Sequence, residues 1–85
     1  MPRIDIVPNG AKAEFAPQDL NVPKNEAVFW HNADSVTHQI SLNGQIVPPG
    51  QTTSEVLITG NRTYFCMLHP EETGAISIQT IPLTS

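Results

Sequence analysis

The stretch TYFCMLHPEETG, Thr63 to Gly74, holds the chain's one cysteine, Cys66, with His69 three residues later and the glutamates Glu71 and Glu72 close behind. A thiol at the end of a strand, a two-residue turn and an imidazole bring a sulfur and a nitrogen to one point from a single loop. His38, which opens the apolar run HQISL after WHNADSVT, offers a second imidazole. Two histidines and a cysteine, with one weak axial ligand, are the coordination set of a mononuclear copper electron-transfer site. With a carboxylate added, the same residue types also suit tetrahedral zinc. A nucleophilic Cys66 activated by a histidine is a further use of the thiol, but no orienting acid or oxyanion donor set accompanies it. Taken singly, Cys66 reads as a buried core thiol and the glutamate pair as a solvated loop. Only the joint spacing of Cys66, His69 and His38 points to a metal.

The elements that must position these residues are short. Eight prolines and five glycines punctuate the chain, and the runs between them alternate or are β-branched, which predicts an all-β sandwich or barrel. RIDIV puts Ile4 and Ile6 on one face. AVFWHN puts Val28, Trp30 and Asn32 on one face and Ala27, Phe29 and His31 on the other. HQISL follows after a short loop; TTSEVLI and RTYFC flank the turn TGN; GAISIQT closes the chain with Ile76 and Ile78 on one side. The segments FAPQDLNVPKNE and NGQIVPPGQ are predicted as edges or connections, because proline lacks the N–H that a mid-sheet ladder needs. No run predicts a helix of three turns.

Composition narrows the function classes. The 85 residues predict a single domain, residues 1–85, burying roughly 60–65% of its unfolded surface. A formal net charge of −4 with 14% charged residues leaves no basic patch, which argues against a nucleic-acid partner. One cysteine cannot build an internal disulfide framework. No apolar stretch is long enough to predict a membrane span, and the N-terminus carries no basic-then-apolar signal pattern.

In order and spacing, nearly the whole chain resembles the cupredoxins, the group that includes plastocyanin, amicyanin and pseudoazurin. The family pattern of an aromatic, one residue, Asn, five residues and the first His ligand is matched by Trp30, Asn32 and His38. A proline–glycine turn follows, here VPPGQT, then an aromatic strand ending in the Cys ligand, here TYFC. Cys-x-x-His-Pro is matched by Cys66, His69 and Pro70, and Gly74 opens the last strand. The resemblance implies a Greek-key β-sandwich of about seven to eight strands and one copper ion. It further implies an electron carrier rather than an enzyme, working as a monomer outside the cytoplasm, in the periplasm or beyond. Redox partners would dock near His69, within an apolar rim of Met67, Leu68, Pro70, Pro48 and Pro49.

The chain departs from the family at the axial ligand. The loop from the second His to Gly74 has the short amicyanin-like length, for which the family's axial methionine falls three residues after that His; here Glu72 stands there. Met67 is expected to point away from the metal. Three arrangements remain open: Glu72 coordinates as a carboxylate, Glu72 swings to solvent, or Glu71 takes the place. The expected set is therefore His38, Cys66, His69 and Glu72. A hard carboxylate favours copper(II) over copper(I), so it lowers the potential and moves the colour from deep blue toward green or red. Two alternative functions are a red-copper, nitrosocyanin-like protein that admits a small molecule, and a copper or zinc storage or chaperone module. By the same alignment Asn32 is expected to tie the His38 loop to the Cys66 loop, and the Gln39 N–H to donate toward the thiolate. Trp30 and Tyr64 are expected in the core, with Phe65 and His31 facing outward.

Overall fold

The computed structural model describes residues 2–79, and every described element is a strand. They are β1 Arg3–Asn9, β2 Lys12–Ala16, β3 Asp19–Val22, β4 Glu26–Asn32, β5 His38–Gln39, β6 Ile46–Val47, β7 Val56–Ile58, β8 Arg62–Cys66 and β9 His69–Ile78. One sheet runs β2-β1-β4-β7, a second β3-β9-β8, and β5 pairs with β6 alone. The pairs β1/β4 and β3/β9 are parallel.

Alternation makes this a sandwich. Ile4 and Ile6 on β1, Phe15 on β2, Val28 and Trp30 on β4 and Ile58 on β7 turn inward from the first sheet. Val22, Tyr64, Cys66 and Ile76 turn inward from the second. Tyr64 sits at the seam, meeting Phe15 edge to face at 4.7 Å between ring centroids and Trp30 at 5.2 Å. Gly74 lies directly across from Tyr64 on β9, and any Cβ there would run into the phenol ring. Gly74 does not open the last strand as expected, because β9 already begins at His69; inside the strand it is a packing requirement.

Among the described residues two of the nine strand elements are only two residues long, in keeping with a sandwich of about seven to eight strands, and one was not anticipated. That one is β2, joined to β1 in a hairpin through Gly10, whose φ of 64° suits glycine. The proline-rich segment after it does supply an edge, β3, lying between Pro17 and Pro23 so that neither proline interrupts the ladder. HQISL shortens to β5 plus a bridge from Ile40 to Cys66. The TGN turn carries the chain from one sheet to the other, since β7 and β8 lie in different sheets.

Candidate metal centre

His38 and Cys66 are brought together by the backbone before any side chain acts. Met67 N–H donates to the Gln39 carbonyl at 2.7 Å and Ser41 N–H to the Phe65 carbonyl at 3.0 Å, on either side of the Ile40–Cys66 bridge. Both ligand candidates are fully buried. The β8–β9 hairpin then turns at Met67 and Leu68, and its register shifts: Phe65 faces Thr73 while Cys66 faces His69. This irregularity lets His69, at the start of β9, share a side with Glu72, which alternates inward with Gly74 and Ile76.

The four side chains offer ligand atoms that all lie within 4.8 Å of one another, a group that could hold a metal ion. Cys66 Sγ is 3.5 Å from His38 Nδ1 and 3.5 Å from His69 Nδ1. Glu72 Oε1 is 3.1 Å from His38 Nδ1 and 3.7 Å from His69 Nδ1. Its other oxygen, Oε2, accepts the Ala13 N–H at 3.2 Å, which anchors the carboxylate to β2. Oε1 is buried yet accepts no aligned hydrogen bond. A buried carboxylate oxygen left in that state is costly unless a cation completes it, so the donor set fits a metal: one soft sulfur, two imidazole nitrogens and one hard oxygen.

The far side of His38 is also held. Asp34 Oδ2 lies 2.9 Å from His38 Nε2. That hydrogen bond holds the Asp34 carboxyl below its ordinary value, against the opposing effect of partial burial. Gln39 N–H donates toward Sγ at 3.5 Å, while its side chain turns away to the Gly44 carbonyl at 3.0 Å.

Glu71 is exposed and lies outside the cluster. Met67 points to solvent, as do Leu68 and Phe65. His31 stays apart, its Nδ1 3.1 Å from Thr52 Oγ1. Asn32 is buried as expected but bonds elsewhere: its Nδ2 donates to the carbonyls of Val36 and Val47 at 2.7 and 2.9 Å, and its Oδ1 accepts the Asp34 N–H at 2.9 Å. It ties the His38 loop to β6, because β6 is the element packed beside that loop. Asp34 and Ala13 were missed. Neither carries a ligand-type spacing signal, and Ala13 acts only through its backbone.

No protein-family model matches the chain, and no curated protein matches it in sequence. Solved structures do match. Amicyanin from Paracoccus versutus superposes with a TM-score of 0.76 at 17% identity, over 92% of this chain and 80% of that one. A purple cupredoxin from Nitrosopumilus maritimus superposes with a TM-score of 0.75 at 26% identity, over 93% of this chain and 100% of that one. A reduced Cu(I) form of an amicyanin variant gives 0.77 at 20% identity, over 92% and 81%.

Proposed function

We propose that this chain, a cupredoxin in fold with glutamate standing where the family carries methionine, is a small mononuclear copper protein that carries single electrons between redox partners. The observation that carries the reading is the convergence of His38 Nδ1, Cys66 Sγ, His69 Nδ1 and Glu72 Oε1 on one buried point. Copper bound there would cycle between copper(I) and copper(II), taking one electron from a reduced partner and passing it to an oxidised one.

The chain's own residues supply the rest. The Ile40–Cys66 bridge and its flanking backbone bonds hold sulfur and His38 on a rigid frame, so little has to move when charge changes. The Glu72 carboxylate, neutralising positive charge, favours copper(II), and each tenfold of that preference lowers a one-electron potential by about 59 mV. The likeness to a cupredoxin described as purple supports a site other than deep blue. His69 is the ligand nearest solvent, with a side-chain exposure of 36%, and its neighbours Met67 and Leu68 are exposed apolar groups. A modest apolar patch of this kind suits brief encounters with redox proteins. The reading carries with it a monomer working outside the cytoplasm. Among the described residues no helix is long and apolar enough to cross a membrane.

The carboxylate also favours a second reading, a zinc or copper holding module, because two imidazoles, a thiolate and a carboxylate make a closed tetrahedral set. Voltammetry of the copper-loaded protein tests the first reading. A reversible one-electron wave with rapid exchange supports the carrier; copper that is bound but electrochemically silent, with zinc held more tightly, contradicts it.

A further inference from the structure

We propose that Asp34 is a positioning residue of the metal centre, fixing the His38 ring in the orientation that turns Nδ1 toward Cys66 and Glu72. This rests on the reading of His38 as a metal ligand. Asp34 Oδ2 stands 2.9 Å from His38 Nε2, on the side of the ring away from the thiol. An ionised carboxylate only accepts, so Nε2 carries the hydrogen and donates it, and Nδ1 is the nitrogen left to offer a lone pair.

Asp34 is itself held. Its Oδ1 accepts the Ser35 N–H at 2.8 Å, and its own N–H donates to Asn32 Oδ1 at 2.9 Å. Asn32 is fully buried and fixed to the carbonyls of Val36 and Val47. A relay of hydrogen bonds therefore runs from β6 through Asn32 and Asp34 to His38. Both Asp34 oxygens act as acceptors, and only a carboxylate can accept at both places. An asparagine would turn its NH2 toward one of the two donors.

The two imidazoles are thus unequal. His38 is fully buried and hydrogen-bonded to Asp34 through Nε2, whereas His69 is partly exposed and makes no hydrogen bond through Nε2 among the described residues. An anionic partner on an imidazole N–H also strengthens the ring as a donor, and that favours the more highly charged copper(II).

The test compares Asp34→Ala and Asp34→Asn with the unaltered protein in copper(II), copper(I) and zinc affinity, in midpoint potential, and in the proton resonance of His38 Nε2–H in the zinc-loaded form. Both variants are expected to bind copper(II) about 10–100-fold more weakly. Copper(I) binding falls less, so the potential rises by about 59 mV for each tenfold difference between the two losses. The slowly exchanging Nε2–H resonance is lost. Variants that melt earlier yet keep the unaltered affinities, potential and resonance overturn the proposal and leave the metal reading standing. An unaltered protein that binds neither copper nor zinc brings down the metal reading itself. If Asp34→Ala does not fold, Asp34→Asn, of nearly the same size, decides the matter.

Discussion

Glu72 is bound to Ala13 across the sandwich: Oε2 accepts the β2 backbone N–H at 3.2 Å, which leaves Oε1 facing the two histidines. A side chain tethered in this way is placed before any ion arrives. It spends no conformational entropy on turning inward, and its buried free oxygen gives it a standing preference for a cation.

Replacing that carboxylate by the family's thioether should change the electronics of the site. Glu72→Met is expected to raise the midpoint potential by at least about 59 mV, a tenfold shift in the copper(II)/copper(I) affinity ratio. The absorption should become bluer as the bond to sulfur strengthens. An unchanged spectrum and potential would show that Glu72 makes no bond to copper.

Gly74 answers to packing rather than to backbone freedom, since its conformation is not in the left-handed region and the obstacle is the Tyr64 ring. Gly74→Ala should therefore cost about 1–3 kcal/mol, the usual penalty for overfilling a packed core. Tyr64 is two residues before Cys66, so the near-ultraviolet circular dichroism should change along with the melting temperature. An alanine variant as stable as the parent would refute the steric account.

Alkali should destabilise the protein through Tyr64. Burial pushes its hydroxyl up to about 12. In the unfolded chain the phenol ionises near 10, so the unfolded state loses its proton first. The stabilisation is intact below pH 10 and is lost as pH rises toward 12, at up to about 1.4 kcal/mol per pH unit. Denaturant titrations at pH 9, 10 and 11 check this, and Tyr64→Phe should flatten the slope.

Removing the metal should lower stability by mass action. Free copper at 100 times its dissociation constant contributes about 2.7 kcal/mol. For a domain of this size that amounts to roughly 10–20 °C in melting temperature. Scanning calorimetry with and without a chelator measures it.

How far the sequence could be read varied from residue to residue. Ile4, Ile6, Val28, Trp30 and Tyr64 were legible as core because each stands in a short β-type run whose alternate positions share one face. Glu72 was singled out by the loop length of the family the chain resembles, with Glu71 left open; the register that turns Glu72 inward with Gly74 and Ile76 and leaves Glu71 exposed comes from the fold. Strand β2 had a signal, the Asn9–Gly10 dipeptide ahead of KAEFA, which is a strong hairpin cue. Asn32 was rightly placed inward, but its partner depends on β6, and two residues of strand leave almost no period to read. Asp34 sits in an irregular loop and Ala13 lies 59 residues from Glu72, so only the folded backbone brings either to the site.

The most direct test of the centre is native mass spectrometry of the protein titrated with copper(II), paired with its visible spectrum, for the parent and for Cys66→Ser. The account predicts one copper ion per parent chain with an intense sulfur-to-copper absorption, and loss of that band in the variant. A parent that takes up no copper, or a Cys66→Ser protein with an unaltered spectrum, would contradict it.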